Sequence, residues 1–147
     1  MEHNRALFTN LLFQAAWQSL KELLADPKYL GALPGAIASF HSWTQTLWVH
    51  PHLHFLVTGG GMTPAGAWVP ARQSFLLPSR VLRAKFRGTF LAFLHQGLQD
   101  QALLLPQDLS PPQCLNLFNK LGRAPWHIRI MPPYQHGRGV IQYLGRY

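Results

Sequence analysis

Cysteine and acidic side chains are the scarcest reactive groups in this 147-residue sequence. The one thiol, Cys114, excludes an internal disulfide and any zinc site built from several cysteines, so a bound metal must rely on histidine and oxygen donors. Such cysteine usage agrees with a reducing, cytoplasmic compartment. No apolar run approaches the roughly 20 residues that a helix needs to cross a bilayer. The N-terminal Met1-Glu2-His3-Asn4-Arg5 also lacks a basic stretch followed by an apolar signal core, so the expectation is a cytoplasmic protein with no membrane partner. Charged residues make up only 12% against 48% hydrophobic, which excludes a disordered chain, and the 12 Gly and 12 Pro follow no collagen-like period. The length is that of a single globular domain.

The charge is also unevenly placed. Residues 1–71 hold three bases and three acids, whereas residues 72–147 hold ten bases with only Asp100 and Asp108, so the second half carries the whole formal charge of +8. A basic half of this kind points to a polyanionic partner.

Hydrophobic spacing predicts a helix over 6–25, ending before Asp26-Pro27, and an extended segment from Gly35 to Trp48 that turns near Val49-His50-Pro51. A second strand follows over 52–58, in which Leu53, Phe55 and Val57 share one face and His52 and His54 the other, until Gly59-Gly60-Gly61 ends it. Pro78-Ser79 opens a long helix to about Leu104 with Arg80, Arg83 and Arg87 beside its apolar stripe. Ser110-Pro111-Pro112-Gln113 has capping-box spacing and starts a helix over 111–121 that stops at Gly122. Trp126 to Met131 alternates as a half-buried strand, and Val140 to Tyr147 supplies a last helical turn or two. The expected architecture is α+β: an antiparallel sheet with the His52/His54 strand near its centre and the three long helices packed on one face.

Two imidazoles from one strand face can grip one divalent cation, although a lone His-x-His is more often bonded to neighbouring backbone. A two-residue turn at Val49-His50 pairs positions that place Gln45 across from His54, making Gln45 the first-ranked third ligand. A turn one residue longer faces Thr46 toward His54 instead, and His41 competes for the same role. Tyr143 and Tyr147, four apart, are neighbours on a helix and can visit one site, while Val140, Tyr143, Leu144 and Tyr147 also form the stripe of any helix packed on a core.

These features stand in a longer text. His50-Pro51-His52-Leu53-His54-Phe55-Leu56-Val57-Thr58-Gly59-Gly60-Gly61 is preceded by Leu30-Gly31-Ala32-Leu33-Pro34-Gly35 and His41-Ser42-Trp43-Thr44-Gln45. It is followed by Phe86-Arg87-Gly88-Thr89-Phe90-Leu91 and Tyr143-Leu144-Gly145-Arg146-Tyr147. From about residue 7 to its end the chain closely resembles the two-tyrosine rolling-circle transposases of bacterial insertion sequences, members of the HUH endonuclease superfamily.

The resemblance implies a palm like that of an RNA-recognition motif and a metal-assisted enzyme that nicks and joins single-stranded DNA at the ends of a mobile element. By position it implies His52 and His54 as ligands of Mg²⁺ or Mn²⁺ and Tyr143 and Tyr147 as nucleophiles. An ordinary phenol, with a pKa near 10, needs a cation on the scissile phosphate to attack at neutral pH. Arg80, Arg83, Arg87, Arg129, Arg138 and Arg146 are the candidates for phosphate contacts, with Trp43 or Trp48 stacking unpaired bases. Family members also carry a Cys-rich region before this stretch and further chain after the second tyrosine. The expectation is therefore one catalytic domain over 1–147, truncated at both ends relative to the family. The rival expectation is a nucleic-acid-binding remnant without catalysis, whose binding is salt-sensitive and indifferent to metal. A barrel hydrolase with a His-x-His strand is disfavoured, because such barrels take about 250 residues.

Overall fold

The computed structural model describes residues 4–43, 49–72, 76–134 and 136–144. Its elements are α1 (Arg5–Ala25), β1 (Leu33–Trp43), β2 (Val49–Met62), β3 (Trp68–Pro70), α2 (Ser79–Gln99), α3 (Pro111–Arg123) and α4 (Gly137–Leu144). The architecture is α+β, as expected, with a three-stranded antiparallel sheet in the order β1-β2-β3 and the histidine strand β2 at its centre.

Local chemistry sets most of the boundaries. Pro27 forces Asp26 out of the helical region, so α1 stops there. The Asp26 carbonyl then accepts the N–H groups of Tyr29, Leu30 and Gly31, with Gly31 at φ 70°, and this turn delivers the chain into β1. At the start of α3 the Ser110 N–H donates to Gln113 Oε1 at 2.8 Å, the reciprocal half of a capping box. Asn4 bonds the Leu104 backbone in both directions, at 2.7 and 2.9 Å, and pins the start of α1 to the segment after α2.

Two apolar clusters hold the domain. One lies between helices, where Ala15 of α1, Phe90 and Leu94 of α2, and Cys114 and Phe118 of α3 are buried with Leu103. The other joins α1 to the sheet: Leu20, Leu24, Leu30, Ala32 and Leu77 are buried against Phe55, Val57 and Val69, with Leu82 of α2 at its edge. The strand alternation is therefore realised, with Phe55 and Val57 toward the helices and His52 and His54 on the opposite face.

The structure corrects several boundaries. β2 does not end at Gly59 but runs through the glycines to Met62, because β3 pairs with Gly60, Gly61 and Met62. A side chain at 61 would meet the Leu33 carbonyl oxygen at 2.6 Å, which explains glycine in a strand interior. β3 itself is too short for a hydrophobic pattern to announce. α2 stops at Gln99 rather than Leu104: Gln101 takes φ 56°, and the Ala102 and Leu103 N–H groups both donate to the Gly97 carbonyl. The stop has no glycine at the left-handed position to reveal it.

Residues 126–131 form no strand. Their alternation is real, since Trp126, Ile128 and Ile130 are half-buried and His127, Arg129 and Met131 exposed, yet Trp126 packs on the helical cluster and Ile130 on the cluster between α1 and the sheet, with no strand pairing. Trp126 meets Phe86 and Phe90 edge-on and donates its indole N–H to the Leu121 carbonyl at 2.8 Å. Alternation reports burial on one side, which a sheet is not required to produce. Finally, α3 packs on α2 rather than on the sheet; behind the strands lies α1, with α2 reaching that cluster through Leu82.

Candidate metal centre

Register decides which side chains meet on the open face of the sheet. β1 and β2 pair His41 with His52, Ser39 with His54 and Ile37 with Leu56. Paired residues of an antiparallel ladder point to the same side, so three imidazoles share one patch. Their ring centroids lie 4.6 Å (His41–His54), 4.8 Å (His52–His54) and 5.5 Å (His41–His52) apart. One ring nitrogen from each can be chosen so that all three lie within 4.8 Å of one another, on half-buried side chains.

Supporting contacts favour a ligand role for these rings. His52 Nδ1 lies 2.6 Å from the His50 carbonyl oxygen. A carbonyl only accepts, so Nδ1 carries the proton and Nε2 keeps the lone pair, the arrangement that orients a metal-binding imidazole. Burial, and after it the neighbouring His41 and His52, hold the His54 imidazole below its ordinary pKa, so at neutral pH it is uncharged. A metal–nitrogen bond of about 2.1 Å puts donors roughly 3–3.5 Å apart. Small ring rotations close the remaining gap, and the residues fit a divalent cation.

The observed register differs from the one that placed Gln45 across from His54. The cross-strand neighbour of His54 is Ser39, and Trp43 pairs with Val49, which leaves five residues rather than two between the strands. His41, the competing third ligand, is the one brought to the pair. Gln45 lies outside the described residues, as do Trp48, Arg146 and Tyr147. Tyr143 falls on α4, with its side chain, like that of Trp43, outside the described part. Among the described residues α4 makes no extensive packing contact with another element.

The arginines are not gathered at the imidazoles. Arg80, Arg83 and Arg87 lie on α2, behind the sheet, the first two exposed and the third half-buried; Arg129 and Arg138 are exposed on the segments that follow α3. A signal in the sequence that charge by halves does not bring out is the acid-free interval: no Asp or Glu occurs between Asp26 and Asp100, so every strand and the whole of α2 lack a carboxylate.

Comparison with known proteins identifies the family. The family model described as "Putative transposase" matches residues 35–147, from β1 to the tyrosine pair. Along 98% of its length the chain is 39% identical to "Putative transposase y4qJ" of Sinorhizobium fredii, covering 37% of that protein. It is 28% identical, over 99% of its length, to "Transposase for insertion sequence element IS801" of Pseudomonas savastanoi pv. phaseolicola, covering 34% of it. The chain thus spans about a third of the length of these relatives. No solved structure matches it. With the family model covering most of the sequence and both motifs inside the matched stretch, the chain belongs to the two-tyrosine transposase family.

Proposed function

We propose that this chain is the catalytic domain of a rolling-circle transposase, nicking and rejoining single-stranded DNA at the ends of a mobile element through a phosphotyrosine link. The observation that supports this reading most is the convergence of His41, His52 and His54 on the uncovered face of the central strand. A divalent ion held by these imidazoles would neutralise charge on the scissile phosphate. Three nitrogen donors suit Mn²⁺ better than Mg²⁺, which prefers oxygen ligands.

The chain's own groups then carry the reaction. Tyr143 or Tyr147 forms a bond from its phenolic oxygen to phosphorus as the bond from phosphorus to the 3′-oxygen breaks. The phenolic proton passes to solvent and the departing oxygen leaves as a 3′-hydroxyl. The phosphotyrosine keeps the energy of the broken ester, so attack by a 3′-hydroxyl regenerates the phosphodiester and the phenol without ATP. A second tyrosine lets one site exchange two strand ends. His52, fixed by the His50 carbonyl, and His54, uncharged at neutral pH, keep the donor set ready.

Incubation with single-stranded DNA and Mn²⁺, followed by denaturing electrophoresis, tests the proposal. The expected result is a covalent adduct that disappears with EDTA, in His52→Ala, and in the double variant Tyr143→Phe/Tyr147→Phe. Salt-sensitive DNA binding with no adduct, unchanged by chelator and by loss of both tyrosines, would identify a binding remnant instead.

A further inference from the structure

The open face of the sheet continues well past the imidazoles. β1 and β2 break register between Pro34 and Ala36, but Pro34 pairs with Gly61 and Ala36 with Val57, so the irregularity preserves which side each residue faces. Leu33, Met62 and Trp68 therefore lie on the same face as Ile37, Leu56, His52 and His54, since Met62 pairs with Leu33 on one side and Trp68 on the other. Trp68 is 53% exposed, and Leu33, Ile37 and Met62 are exposed too.

We propose that Trp68 is a stacking platform for an unpaired base of a DNA strand laid along this face, a few nucleotides from the imidazole cluster. The inference rests on the reading of the chain as a single-strand DNA enzyme and adds a base contact to it. Trp68 covers Gly60: a Cβ at position 60 would lie 2.5 Å from Trp68 Cζ2 and 2.8 Å from Cε2. The indole is thus seated on a strand that keeps no side chain beneath it, while more than half of its surface stays open. Gly60 stands six positions along β2 from His54, which is about 15–20 Å allowing for the irregularity.

Charge selects the occupant. The acid-free interval covers all three strands, so no carboxylate of the sheet repels a phosphate chain. Ten of the 13 Lys and Arg residues lie beyond β3, so the sheet without carboxylates belongs to a chain whose formal charge is +8. A flat aromatic surface with apolar neighbours, on a basic chain and free of strand carboxylates, matches a single strand, whose bases stack without regard to sequence.

The test is the affinity of the purified chain for a labelled single-stranded oligonucleotide, by fluorescence anisotropy in EDTA, so that nicking does not contribute. Trp68→Leu keeps an apolar cover over Gly60 and is checked for a wild-type melting curve; Trp68→Phe keeps an aromatic face. The expected outcome is a loss of about 5- to 150-fold in Trp68→Leu, the range that one base stack carries, with Trp68→Phe losing much less. A second measurement needs no variant. A fully abasic strand of the same length should bind the wild-type chain more weakly than the intact strand. Equal affinity of Trp68→Leu and wild type, an abasic strand bound as tightly as the intact one, or duplex bound as tightly as single strand would overturn the platform. If no tyrosine adduct forms yet the Trp68-dependent affinity remains, the nicking reading falls and the platform stands. If the adduct forms and Trp68→Leu binds like wild type, the platform falls alone.

Discussion

Replacing His41 by alanine separates the three-imidazole centre from a centre made of His52 and His54 with some other third donor. His41 sits directly across from His52 and 4.6 Å, ring to ring, from His54, so its loss removes one of three nitrogens. Loss of even an outer partner of a metal ligand costs about 10–100-fold in affinity, which is a floor for loss of a ligand. At a Mn²⁺ concentration one hundred times the wild-type Kd, binding stabilises the fold by about 2.7 kcal/mol. For a chain of 147 residues, about 3 °C per kcal/mol turns this into a rise in Tm of about 8 °C. The same concentration is ten times Kd, or equal to Kd, for a variant weakened ten- or one-hundred-fold, and the rise falls to about 4 °C or 1 °C. Without metal, His41→Ala should melt close to wild type, because the imidazole lies half-buried on an uncovered face. Thermal melts with and without Mn²⁺ read both numbers. A variant that rises as far as wild type refutes the His41 assignment, and if Gln45→Ala then loses the rise, the oxygen donor expected from the shorter turn is the third ligand.

The remaining expectations concern the scaffold and the basic surface. Leu94→Ala, at a fully buried position between α1, α2 and α3, should cost about 2–5 kcal/mol by urea denaturation, and a cost under 1 kcal/mol would contradict the helical cluster. Replacing Arg83 and Arg87 by glutamine should lower the slope of log affinity against log salt for single-stranded DNA by about 0.7 for each phosphate that an arginine no longer neutralises, and an unchanged slope removes α2 from the DNA surface. Glu22 is held below its ordinary pKa by hydrogen bonds from Lys85 and then Gln18, so its contribution is present above the unfolded value of 4.5 and lost as pH falls through the lower folded value. The pair is exposed. Glu22→Gln should therefore cost at most a few tenths of a kcal/mol at pH 7 and progressively less as the pH falls below 4.5, as read from urea midpoints.

Legibility of the fold from sequence followed the strength of local chemistry. Ser110-Pro111-Pro112-Gln113 encodes its own cap, and α3 starts where the motif says. Asp26-Pro27 encodes its own stop, and α1 ends there. The stop of α2 depends instead on Gln101 accepting a left-handed backbone so that Leu103 can cover Gly97, a tertiary arrangement that no residue type advertises. The same contrast holds at the site. Period-two spacing put His52 and His54 on one face, since that is a property of a single strand. The third imidazole is a property of two strands, set by a register that depends on a five-residue connection, and a one-step error in turn length moves every cross-strand neighbour. Trp68 is illegible in the sequence for a related reason: a three-residue strand has no periodicity, and its meaning comes from Gly60 lying beneath it.

β1 has a consequence of its own for handling the protein. It is 11 residues long, Leu33 to Trp43, forms the rim of the sheet among the described residues, and contains neither a lysine nor any other charged group, while Ala36, Ile37 and Ala38 stand exposed along it. Natural sheets usually guard such a rim with a charge, a bulge or a covering segment, and here the irregularities fall only at the two ends, Pro34–Ala36 and His41–Trp43, leaving residues 36–41 without one. An unguarded one is adhesive: its outward amides and carbonyls offer a ready seat to a strand from another molecule. Stocks of the chain should therefore be kept dilute, and a lysine at Ala38 is the simplest guard to install before crystallisation.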